Sequence, residues 1–132
     1  MSKNPTRETT TDRKTAITLG WSSAITGAIA ALVGMFPVAF LLALFWKFPI
    51  PLGGYASGFE GAVLTPLAVV FYGVLGGFIV VPGLGAITGA LVVLVTHGNV
   101  SKSKKLSIVF GLLWAIIAGV FINMLDKIIG PW

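Results

Sequence analysis

The sequence predicts an all-α fold: a polytopic membrane helical bundle of four transmembrane helices, with three as the alternative count. Composition is the first observation behind this prediction. The chain has 132 residues, of which 56% are apolar and 10% charged, and its mean hydropathy is +0.98. A water-soluble domain carries about a quarter charged residues, so this surface would aggregate in water. The second observation is that the apolar residues form long uncharged blocks bounded by Lys and Arg. The third is that every expected span carries small residues four apart, the spacing that lets membrane helices approach closely.

Residues 1–15 are polar, lack a periodic apolar face and read as a flexible N-terminal tail; the transmembrane domain then covers 16–132. The first block, 16–46, is too long for the apolar core of a signal peptide. As a straight helix it would reach about 46 Å, beyond the roughly 30 Å of bilayer hydrocarbon. Pro37 is expected to kink it, and Trp21 and Trp46 mark its interfacial ends. Lys47–Glu60 (KFPIPLGGYASGFE) reads as a turn-rich loop, with Ser57 and Glu60 matching a capping box before the next helix.

The second block, Gly61–Thr96, would be about 54 Å long as one helix. A break at Val81-Pro82-Gly83-Leu84-Gly85 resolves this excess and gives spans at about 62–81 and 84–99. Residues 98–105 form a lysine-rich loop, and the last span covers about 106–124. An internal repeat supports four spans. Ala24–Val33 (AITGAIAALV) and Ala86–Val95 (AITGALVVLV) agree at seven of ten positions, which suggests a duplicated helical hairpin whose halves point the same way.

Charge pulls toward three spans. Four spans place five basic residues on the side of the N terminus and four on the other, so a cytoplasmic N terminus is favoured by one residue. Three spans place seven of nine on one side. Helix length decides for four.

The packing candidates are Gly27 and Ala31, Gly73 and Gly77, Gly85 and Gly89, and the ladder Gly111, Ala115 and Gly119. Bundles packed on such residues leave no room for a large internal cavity in one subunit, so any aqueous path or large ligand site is expected between subunits.

The chemistry is sparse. No Asp, Glu, Lys, Arg or His lies inside an apolar block, and such residues are what mark ion coupling and proton relays. Cysteine is absent, which excludes disulfides and thiolate sites. The serines lack a nucleophile-elbow context, and Gly83-Leu84-Gly85 lacks the remainder of a nucleotide fingerprint. No enzyme, no metal and no nucleic-acid partner is expected. His97 is the single histidine; it reads as a helix-end residue, and a tetrapyrrole is the one cofactor a lone imidazole could ligate.

The aromatic first loop, with Trp46, Lys47, Phe48, Tyr55, Phe59 and Glu60, is the expected partner or interface surface. The leading functional expectation is a small non-catalytic integral membrane subunit that packs in the bilayer against larger membrane proteins or its own copies. The alternatives are a homo-oligomeric channel or facilitator, with Thr26, Thr65, Thr88 and Thr96 beside an intersubunit path, and a pigment- or haem-supporting subunit acting through His97.

Overall fold

The computed structural model describes the backbone of residues 5–129 and the side chains of 12–124 and Ile128. It contains α1 (Pro5–Phe45), a hairpin of β1 (Phe48–Ile50) and β2 (Gly54–Ala56), α2 (Gly58–Tyr72), a π-helical segment (Gly73–Gly77), α3 (Phe78–Val95) and α4 (Val100–Ile129). Among the described residues, three helical runs are long and apolar enough to cross a membrane: Asp12–Phe45, Gly58–Val95 and Val100–Met124. The expected count of four is not confirmed, because the run expected to form two spans is one helical run.

The excess length has two outlets. First, α1 starts at Pro5 and carries its helix through most of the segment expected to be a flexible tail. Proline suits a first helical position, and extending an existing helix avoids the cost of nucleation. Residues 1–4 of that tail lie outside the described residues. Second, the 58–95 run bends rather than breaks, and it bends in a different place from the one expected. The bend falls at Gly73–Gly77, where Gly76 has φ 127°, a value that only glycine adopts freely. Val81–Gly85 stays helical instead. In hydrocarbon an opened turn would strand its backbone polar groups. The bond that Pro82 cannot donate falls on the carbonyl of Phe78, where ψ of −11° shows the ladder already loosened.

Pro37 and Pro66 also lie within helices. Pro66 leaves the Ala62 carbonyl without its helical donor, and the buried Thr65 hydroxyl donates to that oxygen at 2.7 Å.

The long helices run up, down and up. Along α1, Ser23 faces Gly89, Gly27 faces Gly85 and Met35 faces Gly77, so α2–α3 is antiparallel to α1. On α4, Gly111 meets Gly27, while Gly119 meets Val38 and Leu42, so α4 runs parallel to α1. The repeats Ala24–Val33 and Ala86–Val95 thus lie on opposed helices, which corrects the expectation that they point the same way. They also face each other. Gly27 packs on the Gly85 carbonyl as Gly89 packs on that of Ser23. Thr26 donates to Ser22 as Thr88 donates to Leu84, both at 2.8 Å. With an offset of 62 residues these contacts exchange with one another, as a local two-fold axis requires.

The loop expected to lack helix contains a short antiparallel hairpin, with Phe48 opposite Ala56 and Ile50 opposite Gly54. The Gly53 N–H donates to the Ile50 carbonyl at 3.1 Å and closes the turn. Leu52 takes φ 64° at a position that favours glycine. The expected capping box is not formed: Ser57 makes no side-chain cap bond. Left-handed Gly58 (φ 73°) follows it and turns the chain off the helix axis at that point.

Candidate functional site

α1 and α4 each bury a line of mostly small residues at a strict spacing of four. On α1 the buried line is Leu19, Ser23, Gly27, Ala31, Met35, Ala39 and Ala43. On α4 it is Ser103, Ser107, Gly111, Ala115 and Gly119. A helix turns every 3.6 residues, so a four-residue line drifts about 40° around the helix at each step. Over the six steps from Leu19 to Ala43 it moves through about two thirds of a revolution. A single helix can therefore meet α3 near one end and α2 near the other. The serines of α4 were missed in the sequence, Ser103 because it lies among lysines, although their spacing from Gly111 was visible.

The glycines meet at one point. A β-carbon on Gly27 would overlap the Gly85 carbonyl, and one on Gly85 would come within 2.5 Å of the Gly27 oxygen. The same Gly27 oxygen would lie 2.6 Å from a β-carbon on Gly111. Thus α1, α3 and α4 touch backbone to backbone here. Ala31 and Ala115 are fully buried in the same seam, and Gly119 faces the Val38 and Leu42 side chains. Gly73 and Gly77 play a different part from helix packing. Their α-hydrogens leave room for the Phe78 ring and the Tyr72 carbonyl of the same bent chain, with Met35 of α1 a more distant neighbour of Gly77.

Hydroxyls gather beside this junction. Ser107 donates to the Ser103 carbonyl at 2.8 Å, and the Thr96 and Ser103 hydroxyls lie 2.5 Å apart. Ser23 is fully buried, and its Oγ has no hydrogen-bond partner. His97 lies in the adjoining turn. It is exposed, with φ 50°, and its Nδ1 is 3.1 Å from the Val95 carbonyl. The Gly98 N–H returns to Val93, and Asn99 Oδ1 accepts from the Lys102 N–H to start α4. His97 thus serves the turn geometry at the helix end. Among the described residues, no three His, Asp or Glu side chains come together in a way that could hold a metal ion.

The other half of the bundle is open. Beyond the Gly73–Gly77 bend, α2 packs on α1 and the hairpin but makes no substantial contact with α4. The wedge between them is a crevice of about 920 Å³. The bend supplies Phe71, Tyr72, Leu75 and Val80 as one wall, α4 supplies Trp114, Ile117 and Phe121 as another, and Ile50, Leu52 and Tyr55 of the hairpin form its rim. Among the described residues, none that lines it is charged. Phe71 and Tyr72 stack edge to face at 5.4 Å. The sequence reading, which expected no large internal cavity in one chain, did not anticipate this open crevice. Three glycines within five residues were the available signal, but they read as packing positions. A shallower groove of about 420 Å³ lies on the other side of α1, between Thr26, Gly34, Pro37 and Leu112.

The aromatic loop divides by environment. Phe48, expected at an interface, is instead 2% exposed and is among the largest fully buried side chains. Its strand packs against α2 and α4, so it anchors the hairpin. Trp46 and Phe59 are exposed, as are Lys47 and Glu60, while Tyr55 sits at the crevice rim. No family model matches this chain, and no curated protein or solved structure is similar to it.

Proposed function

We propose that this chain is a small, non-catalytic subunit of a membrane assembly, packing beside a larger membrane protein or further copies of itself. The observation that carries this reading is the α2 arm. It has one long helical neighbour where α3 has two. Val63, Leu67 and Val70 on α2, and Val74 in the π-helical segment that follows, are exposed at alternating spacings of four and three. That is the spacing of a seam between two nearly parallel helices.

Three spans also support an orientation. The N-terminal segment and the Lys102–Lys105 end of α4 share one side and carry seven of nine basic residues. The positive-inside rule makes that side cytoplasmic, which puts the hairpin and the crevice mouth on the opposite face. The threonines of the channel alternative support it little: Thr26, Thr65, Thr88 and Thr96 each donate to a carbonyl of their own helix.

Cross-linking in native membranes from a cysteine placed at Leu67, followed by mass spectrometry, tests this reading. It expects one recurrent adduct, either a distinct membrane protein or a second copy. Labelling confined to the monomer would overturn it, as would sustained solute flux through vesicles that contain the chain alone.

A further inference from the structure

We propose that the lysine-bearing end of the bundle is a docking surface for the head groups of anionic lipids. Lys102, Lys104 and Lys105 at the start of α4 hold them, with Arg13 and Lys14 of α1 farther out. This goes beyond the subunit reading and does not require it; it uses only the up, down and up course of the helices.

Charge sorts between the two ends of the bundle. The end with the N terminus has seven of the nine basic residues against the acids Glu8 and Asp12, an excess equal to the chain's whole formal net charge of +5. At the hairpin end Lys47 and Lys127 are balanced by Glu60 and Asp126. A partner of opposite charge is therefore drawn to one end alone.

Helix packing sets the depth of the cations. Gly111 packs on Gly27, and Ser107 reaches the Gly89 carbonyl beside Ser23. Counted back along these two parallel helices, Lys105 comes level with Trp21 and Lys102 with Thr18. Trp21 is 69% exposed, and Ile17, one turn farther out, is 54% exposed. Lysines and bare apolar side chains thus share one depth. A soluble polyanion would meet both together and gain only from the first. A lipid matches both, because its phosphate lies directly above its acyl chains, and Trp and Lys side chains favour that boundary. Arg13 and Lys14 stand one to two turns farther out on the helical part of α1, at the outer edge of the head-group layer.

The lysines also work against the helix that carries them. Ser103 is turned into the seam, so Lys102 and Lys104 flank it and all three lysines are exposed. The helix starts at the Asn99 side chain and has no acidic residue in its first turn. Cations beside the positive end of a helix dipole are unfavourable. An anion seated among the ammonium groups offsets that cost, and phosphate oxygens accept their charge-assisted hydrogen bonds.

Native mass spectrometry of the full-length protein, given equal amounts of dioleoyl phosphatidylglycerol and dioleoyl phosphatidylcholine in mild detergent, tests the surface. The two lipids share their acyl chains and differ in head-group charge. Phosphatidylglycerol is expected to be retained roughly tenfold better in about 0.1 M ammonium acetate. Most of that preference should vanish at about 1 M, where the screening length falls from about 10 Å to about 3 Å. Changing Lys102, Lys104 and Lys105 together to Gln should bring the preference to within about twofold of parity. Changing the same three to Arg should keep it, which separates lost charge from a lost fold. Lys47→Gln at the hairpin end should leave it unchanged. Equal retention of the two lipids by the unaltered chain would overturn the proposal, as would a preference that survives in the glutamine variant or disappears in the arginine one. Displacement of the lipid by an equal concentration of inorganic phosphate would overturn it too, by making the site one for a free anion. Lipid retention is read without any partner, so its failure and that of the subunit reading are distinguishable.

Discussion

The two halves of this bundle are built on the same four-residue spacing and end up with opposite properties. At the Gly27–Gly85–Gly111 junction three backbones meet, and a single added carbon has nowhere to go. Past the Gly73–Gly77 bend the third helix is no longer beside the second, and the space opens to about 920 Å³. Lipid makes this contrast possible. Burying leucine against leucine gains little over burying it against an acyl chain, so helix contact depends on how closely backbones can come. Where glycines of different helices oppose one another the bundle closes. Where glycines are used to bend their own chain it opens.

The closed half is the more sensitive to substitution. Gly27→Leu forces branched carbons against the backbones of α3 and α4 together. It is expected to destabilise the fold by roughly 3 kcal/mol or more, the upper range for overpacking. Gly20 is the internal comparison, because nothing lies within 4 Å of a β-carbon there. Gly20→Ala should raise stability by up to about 1 kcal/mol through helix propensity alone. Titrating detergent-solubilised protein with dodecyl sulfate, followed by far-ultraviolet circular dichroism, measures both. Equal effects at the two sites would show that the junction is not the tight contact described.

The open half should respond in shape more than in stability. Gly76→Ala puts a side chain at φ 127°, at a cost of about 1–3 kcal/mol if the bend persists. Regular helical geometry is open to alanine there, and it would carry α2 along the line of α3 toward α4. Spin labels at Leu67 and Phe121 are expected to move closer together in the variant. An unchanged distance with unchanged stability would remove Gly76 as the origin of the crevice.

These differences explain which features were legible in the sequence. Helix class and helical runs long and apolar enough to cross a membrane follow from uncharged blocks and flanking lysines, and they needed no tertiary information. The glycines that pack between helices and those that bend a helix share the small-xxx-small pattern, so Gly73 and Gly77 could not be told from Gly85 and Gly89 without the fold. Pro82-Gly83 is a turn signal calibrated on water, where an opened turn is solvated; in hydrocarbon the helix continues. The break expected inside 61–96 is absent for a related reason. An over-long run was expected to fold back, but it is absorbed by a bend in one helix and by extension of another. The crevice residues Phe71, Trp114 and Ile117 are ordinary apolar positions in the sequence. Only the divergence of α2 from α4 gives them a common space.

Hydroxyls give the finest comparison, and it lies within the closed half. Ser103 and Ser23 are both fully buried in the seams of the small-residue bundle. The Ser103 hydroxyl is 2.5 Å from that of Thr96, joining α4 to the end of α3, whereas Ser23 Oγ has no partner. Ser103→Ala should therefore cost about 0.6 kcal/mol, typical of an interhelical hydrogen bond in a membrane. Ser23→Ala leaves the chain spacing intact and removes an unsatisfied polar atom. Its expected effect is close to zero, or slightly stabilising, since a buried hydroxyl without a partner carries only its desolvation cost. Both variants can be read in the same dodecyl sulfate titration against Gly20→Ala. A loss at Ser23 as large as that at Ser103 would mean that its hydroxyl bonds across the α1–α3 contact, and the close packing there would then owe part of its strength to a polar link rather than to glycine alone.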